Sequence, residues 1–140
     1  MRYMIVADQT ASSPELLDAV RQRMGAESEY VLLVPASPVN HFLTWEEGES
    51  RMSARHSAED ALQRMTAMGA RVSRAEIGDP SPIQAIADEI REHGDYDELI
   101  ISTLPVGRSR WLGLDLPHRA QHRFGIPVHH VVSAQVAIAA

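Results

Sequence analysis

The residues at 107–111, Gly-Arg-Ser-Arg-Trp, are of types that bind small anions. Arg108 and Arg110 can each hold a phosphate or a carboxylate through two parallel N–H donors, and the Thr103 hydroxyl is close enough along the chain to assist. The indole of Trp111 can stack on a flat ligand. In a second interpretation, Trp111 anchors this segment to the core and the arginines pair with acidic residues at the surface. The sequence leaves both interpretations open.

Histidine is frequent, with seven in the chain. His118 and His122 lie four residues apart on a predicted helix, so they share a face, and such a pair can bind a metal. An arginine follows each of them, which disfavours a cation. His129 and His130 are adjacent on a predicted strand and must point to opposite faces. We therefore predict no metal site, and a buried or interface position for one of the two strand histidines.

The absence of two residue types excludes several classes of enzyme. The chain of 140 residues has no Cys, which excludes a thiolate nucleophile and a Cys-based zinc or iron–sulfur site. All 13 basic residues are Arg, and the lack of Lys excludes a Schiff-base enzyme and a Walker A loop. No Gly-x-Ser-x-Gly segment indicates a hydrolase nucleophile. The sequence leaves enzymatic activity undecided and favours a protein that binds its ligand without converting it.

The charge is unevenly distributed along the chain. The net charge is −6, yet residues 101–140 carry four Arg against Asp115 alone. An acidic body with one basic segment argues against nucleic-acid binding, which needs a broad basic face, but it permits a local anion site. No signal segment is evident, and no apolar run approaches the roughly 20 residues of a membrane span. We therefore expect a cytoplasmic protein without membrane contact.

Short apolar runs alternate with amphipathic segments. The predicted strands are residues 3–7, 30–34, 99–101 and 128–132, with a weaker strand signal at residues 72–77. Four helices are predicted between them. This alternation predicts a single α/β domain of the Rossmann-like class, with an open parallel five-stranded sheet and helices on both faces.

Capping and loop residues predict where the helices begin. Ser12 and Glu15 have the spacing of a capping box in front of the first helix. Residues 38–50 read as a polar loop, so the second helix is expected to begin at Met52. Asp115 is predicted to cap a short last helix.

Four segments resemble the universal stress protein family. They are Tyr3-Met-Ile-Val-Ala-Asp8, Gly78-Asp79-Pro80, Asp97-Glu-Leu-Ile-Ile-Ser102 and Gly125-Ile-Pro-Val-His-His-Val-Val132. The resemblance covers residues 1–140 as one domain. It implies a sheet of order 3-2-1-4-5 and, in many members, a homodimer that pairs the fifth strands edge to edge.

The implied strand order places the ends of strands one and four side by side, where ligands bind in such sheets. Asp8, Ser102 and Thr103 are therefore expected to border one crevice. In the nucleotide-binding branch of the family, an Asp at the end of strand one holds the ribose, and Asp8 matches it. That branch also offers backbone polar groups to adenine at the end of strand two. This chain has Pro35 there, or Val34 if the alignment shifts by one residue.

The segment after strand four departs from the family. The nucleotide-binding branch carries Gly-x2-Gly-x9-Gly-[Ser/Thr] there, and its backbone N–H groups grip the phosphates. In this chain Pro105 provides no N–H, and Asp115 lies about where the closing Ser or Thr should be. We expect the Asp115 carboxylate to satisfy the helix donors itself and so to repel a phosphate. The usual ATP grip is therefore predicted to be absent.

Three functions remain open from the sequence. The first is a non-catalytic homodimer of the universal stress type, which binds a small anionic ligand or a protein partner in a stress response. The second is an ATP or AMP binder that uses a rebuilt loop at 103–111. The third is an enzyme of phosphate-ester or nucleotide chemistry. The candidate ligand-binding residues are Asp8, Val34, Pro35, Ser102, Thr103, Gly107, Arg108, Ser109, Arg110, Trp111 and Asp115.

Overall fold

The structure, a computed structural model, describes residues 1–36, 47–105, 110–113 and 115–134. These residues form five strands and five helices in nearly regular alternation. In chain order, the elements are β1 (Arg2–Val6), α1 (Pro14–Gln22), β2 (Glu29–Pro35), α2 (Glu47–Ala67), β3 (Val72–Gly78), α3 (Pro82–His93), β4 (Glu98–Thr103), α4 (Arg110–Gly113), α5 (Leu116–Phe124) and β5 (Val128–Val132).

The five strands form one parallel sheet in the order β3-β2-β1-β4-β5. β1 lies at the centre, with Val6 opposite Leu33 of β2 on one side and Ile101 of β4 on the other. The α/β class and the strand order predicted from the sequence are therefore confirmed. Because all strands run the same way, their C-terminal ends lie along one edge of the sheet, which we call the carboxyl edge.

Helices cover both faces of the sheet, and each face has its own core. On one face, Ile5, Tyr30 and Leu32 pack in one cluster with residues of α1 and α2, such as Leu16 and Met65.

On the other face, Met4, Leu33 and Ile101 form a second cluster with residues of α3, α4 and α5, such as Ile86 and Leu116. Side chains alternate between faces along each strand, so the three central strands β2, β1 and β4 are apolar and buried on both faces, whereas the edge strands β3 and β5 carry polar residues and are only partly buried.

The first helix begins differently from the prediction. Ser13, rather than Ser12, is the N-cap of α1, and its Oγ accepts the Leu16 N–H at 3.1 Å. The Glu15 carboxylate lies one residue too early for a capping box with Ser13, and its Oε1 accepts the Ala134 N–H instead, at 3.3 Å. The predicted capping box is therefore wrong: of the two consecutive serines, Ser13 caps α1, and the Ser12 side chain hydrogen bonds to Asp60 instead.

One further helix boundary differs from the prediction, and the structure holds one helix that was not predicted. α2 begins at Glu47, five residues before Met52, because a polar segment that gives no apolar signal extends it beyond its first apolar position. The short α4 was not predicted, so the described residues hold five helices rather than four. No helix of the described residues combines the length and the apolar character that crossing a membrane requires.

Candidate functional site

Asp8 lies at the carboxyl edge, in the turn that follows β1. Its side chain is half-buried, and its Oδ1 accepts the backbone N–H of Gln9 at 2.5 Å. Its carbonyl oxygen accepts the Ala11 N–H at 3.2 Å, which closes the turn. Since β1 and β4 are neighbours, Asp8 lies at the same edge as Ser102 and Thr103, the last two residues of β4.

A chain of buried hydroxyl groups joins the turn after β1 to the end of β4. Ser102 Oγ lies 2.7 Å from Thr10 Oγ1 and 3.0 Å from Ser133 Oγ, and Ser133 Oγ lies 2.7 Å from Ser13 Oγ. All four residues have no exposed surface. Each hydroxyl is therefore used by another protein group, on the face of the sheet that α1 covers.

This hydroxyl network, Thr10, Ser13, Ser102 and Ser133, fills the space in which a ligand of an open α/β sheet is expected. Ser133 is held there by a further bond, because its N–H donates to the Thr103 carbonyl at 2.8 Å. A ligand at the carboxyl edge must therefore lie above the network, toward Asp8, rather than between the ends of β1 and β4. Ser102 is fully buried within the network and presents no surface to a ligand.

Thr103 faces the opposite side of the sheet, where its Oγ1 lies 2.7 Å from His130 Nε2. Burial lowers the pKa of His130, and the neighbouring His129 lowers it further. The imidazole is therefore neutral at physiological pH, when it can accept a hydrogen bond from the hydroxyl.

His118 and His122 are both exposed on α5, and no third ligand joins them among the described residues.

Asp115 occupies the N-cap position of α5, but its carboxylate does not cap the helix. The backbone is left-handed there, with φ of 54°, and the side chain makes no capping hydrogen bond. A capping side chain needs an extended backbone and an N–H at the second or third helical position, and the second is Pro117. The prediction that this carboxylate satisfies the helix donors is therefore wrong.

Trp111 and the end of β2 are also placed by the structure. The indole of Trp111 is only 5% exposed and belongs to the second core cluster, which fits the anchoring interpretation rather than stacking on a ligand.

Val34, near the end of β2, is fully buried in the first cluster. Pro35 ends β2 opposite Gly78, and the next N–H, that of Ala36, donates to the Gly78 carbonyl at 3.0 Å. At the end of β2, only backbone groups are therefore available to contact a ligand.

The segment predicted to clamp an anion lies mostly outside the described residues. Gly107, Arg108 and Ser109 are not among them, and Arg110 is described as the first residue of α4 without its side chain. The two-arginine clamp therefore stays a prediction.

One group of described side chains has the spacing of a metal site, namely Glu76, Glu89 and His93. Arg74 pairs with both carboxylates, and the Tyr96 hydroxyl donates to Glu89. Burial raises the pKa of Tyr96 well above its usual range, and its bond to Glu89 adds to this shift. Because a guanidinium already neutralises the two carboxylates, the group is an ion-pair network that supports β3 and α3 and is not suited to a cation.

Thr10, Ser13 and Ser133 were not predicted from the sequence as parts of the site. Each lies just beyond an apolar run, where small polar residues are common in exposed turns. Their only signal was position, since hydroxyls next to the ends of adjacent strands lie near one another. Their burial depends on contacts between residues 31 to 120 positions apart, which local patterns do not reveal.

Comparisons with known proteins reveal the same fold in solved structures. A protein of the universal stress protein family from Burkholderia pseudomallei is similar over 94% of this chain and 96% of that one, with a TM-score of 0.63 and 15% identity. A universal stress protein family protein from Arabidopsis thaliana with AMP bound is similar over 95% and 92% of the two chains, with a TM-score of 0.63 and 12% identity. A universal stress protein in complex with cAMP covers 96% and 98%, with a TM-score of 0.62 and 17% identity.

No protein-family model and no curated protein matches the sequence. At these identities, the likeness to solved structures establishes the architecture alone. The chain thus has the fold of the universal stress proteins, with a carboxyl edge in which Asp8 and Thr103 accompany a hydroxyl network and an N-terminus of α5 that Asp115 leaves uncapped.

Proposed function

We propose that this protein binds a small phosphate-bearing anion of the AMP class at the carboxyl edge and does not convert it. The ligand lies above the hydroxyl network, with its polar sugar toward Asp8 and its phosphate toward the N-terminus of α5. A role in a stress response in the cytoplasm is part of the same proposal. Two of the similar structures hold AMP and cAMP, which supports a nucleoside monophosphate as the first ligand to test.

The observation that carries this proposal is the uncapped N-terminus of α5. The Asp115 carboxylate makes no bond to the first turn, so it does not take the place of a phosphate. The first turn has backbone N–H groups at Leu116 and His118, and the helix dipole favours an anion there. Because Pro117 supplies no donor, this turn offers fewer N–H groups than a glycine-rich loop does.

The ligand is small because the usual triphosphate grip is lacking. The sequence has no Gly-x2-Gly-x9-Gly-[Ser/Thr] segment, and Pro105 removes one more donor from the segment after β4. The hydroxyl network fills the floor of the crevice. Arg108 and Arg110 are proposed to complete the anion site, with Ser109 and the backbone of Gly107 beside them, and the backbone at Val34 and Pro35 to border the base.

A thermal-melt titration tests this proposal. AMP, cAMP and ATP are added to the wild type and to Asp8→Asn, with Asp18→Asn as the matched control, since Asp18 is exposed on α1 and pairs with Arg21. A ligand at 100 times its Kd adds about 2.7 kcal/mol to the free energy of unfolding, which raises Tm by several degrees. We expect AMP to stabilise the wild type and Asp18→Asn, and to leave Asp8→Asn unchanged.

The same samples distinguish the other functions. No shift of Tm with any of the three nucleotides at millimolar concentration would contradict the AMP-class ligand and would turn the search to protein partners. Release of phosphate from a panel of phosphate esters, lost in Asp8→Asn, would establish the enzymatic alternative in its place.

We also propose that the protein is a homodimer that pairs β5 of each copy. β5 is an edge strand, because within the described residues its backbone pairs with β4 alone. Val132 at its end is 47% exposed, one of three large apolar side chains that are exposed among these residues. An unpaired, exposed apolar edge is a template for pairing with another strand. Sedimentation velocity at micromolar concentration tests this proposal, with a dimer as the expected result.

A further inference from the structure

The centre of β5 carries two adjacent histidines on the open edge of the sheet. His129 and His130 are both half-buried, and they point to opposite faces. Val131 belongs to the core cluster under α1, so His129 shares that face. Val128 packs against the cluster under α5, so His130 lies on that second face, where it contacts Thr103.

The geometry of an edge-to-edge pair places one of these histidines against its own copy. Two identical parallel-sheet edges joined by a two-fold axis run antiparallel, and directly opposite residues then lie on the same face. Full overlap of the five residues of β5 is reached when the axis passes through the middle residue, His130. His130 then faces His130 of the second copy, His129 faces Val131, and Val128 faces Val132. The Cβ atoms of directly opposite residues are about 5 Å apart.

We propose that the juxtaposition of His130 with its own copy makes the β5 interface a pH-sensitive contact, closed with neutral imidazoles and opened when they are protonated. This inference rests on the proposed β5 homodimer. Like charges directly opposite each other in a sheet are destabilising, and here two cations would lie on the symmetry axis of a partly buried interface.

The charged groups on the elements around His130 do not offset that charge. α5, which covers its face, carries Arg119, Arg123, His118 and His122, and residues 116–134 contain no Asp or Glu.

On the opposite face, α1 contributes Glu15, whose Oε1 accepts the Ala134 N–H. On β4, Glu98 lies at the other end of the strand and pairs with Arg23. Each of these carboxylates has another partner, so protonation of the two facing imidazoles adds repulsion across the axis.

The direction of the pH effect follows from linkage. Burial and His129 lower the pKa of His130 in the single chain, and a facing imidazole lowers it further in the dimer. The separated chains therefore bind more protons than the dimer does, and the dimer weakens as the pH falls below the ordinary histidine pKa of about 6.5. Each proton taken up on dissociation raises the dimer Kd by about tenfold per pH unit.

Sedimentation velocity between pH 8.0 and pH 5.5 tests this inference, at constant ionic strength and with a chelator present to exclude metal bridges. We expect the wild type to be a dimer at pH 8.0, with a Kd at least about tenfold higher at pH 5.5. His130→Gln and His130→Val remain dimers across the range. His118→Gln/His122→Gln, which removes the exposed pair on α5, responds to pH as the wild type does. Circular dichroism at pH 5.5 establishes that every sample is folded.

The possible failures differ from one another. A wild type that is monomeric at every pH contradicts the homodimer and this inference with it. A dimer with the same Kd at both pH values contradicts the inference and leaves the homodimer standing. A pH response that persists in both His130 variants, or that His118→Gln/His122→Gln abolishes, overturns the assignment to His130.

Discussion

Tyr30 joins three parts of the first core cluster. Its ring stacks on Tyr3 at 5.2 Å, with an interplanar angle of 21°, and its hydroxyl donates to the Val20 carbonyl at 3.1 Å. Burial, with a smaller contribution from Tyr3, raises the pKa of Tyr30 to about 12. Its folded pKa exceeds its unfolded value of 10.0, so its stabilising contribution is complete below pH 10 and is lost as the pH rises toward 12.

We predict that Tyr30→Phe lowers the free energy of unfolding by about 1 kcal/mol at pH 7, because the Val20 carbonyl loses its side-chain donor. The loss of stability above pH 10 should shrink in the same variant. Tyr3→Phe is the control for the effect at pH 7, since the Tyr3 hydroxyl contacts the Met1 sulfur, a weak acceptor, at 3.5 Å. Urea unfolding at pH 7 and pH 10.5 measures both effects, and an unchanged alkaline loss in Tyr30→Phe would assign it to another group.

The location of a single residue in the fold was predictable where its position in the sequence, at the end of a strand, determined it. Asp8 and Thr103 end their strands, and the strand order brings them to the carboxyl edge. Asp115 shows the limit of such reasoning. Its position before α5 was right, but its carboxylate does not cap, because its backbone is left-handed where a capping residue is extended. Backbone conformation at a single turn depends on packing around it, which residue type does not specify.

The junction of β3 and α3 depends on a glycine for close packing. A Cβ at Gly78 would lie 2.8 Å from the Ala85 Cβ and 3.0 Å from Leu33 Cδ1. We predict that Gly78→Ala destabilises the protein by about 1–3 kcal/mol, since α3 must move away from β3 and the Leu33 side chain must shift to admit one methyl group. Gly25→Ala is the matched control, because its nearest contact would be Ser28 Oγ at an ordinary 3.5 Å. Equal unfolding midpoints in urea for the two variants would contradict this account.

The strands were the most predictable elements. Strands buried on both faces are apolar on both sides, so β1, β2 and β4 stand out as continuous runs, whereas β3, which carries Arg74 and Glu76, gave the weaker signal; all five strands were located. Helix boundaries were harder to locate, because polar residues extend α2 to Glu47 without any apolar signal. α4 is four residues long, which is too short for a helical repeat to be visible in the sequence.

Across the whole molecule, the hydroxyl network ties the last strand to the first helix. Ser13 and Ser133 are 120 residues apart and lie 2.7 Å from each other at full burial. Ser133 also contacts Ser102, so one side chain completes hydrogen bonds from two distant parts of the chain. A buried hydroxyl that loses its partner retains the cost of its desolvation. The stability of this region therefore depends on hydrogen-bonded pairs of hydroxyls rather than on single residues.

We therefore predict that Ser133→Ala lowers the free energy of unfolding by about 1–3 kcal/mol, whereas Ser53→Ala, at an exposed position on α2, changes it by less than about 0.5 kcal/mol. Ser13→Ala/Ser133→Ala should cost less than the sum of its two single variants, because the second substitution removes a hydroxyl that has already lost its partner. A double-mutant cycle by urea unfolding measures this coupling. Strict additivity would mean that the two hydroxyls do not depend on each other, and that the end of β5 is held to α1 by the bond of the Ala134 N–H to Glu15 instead.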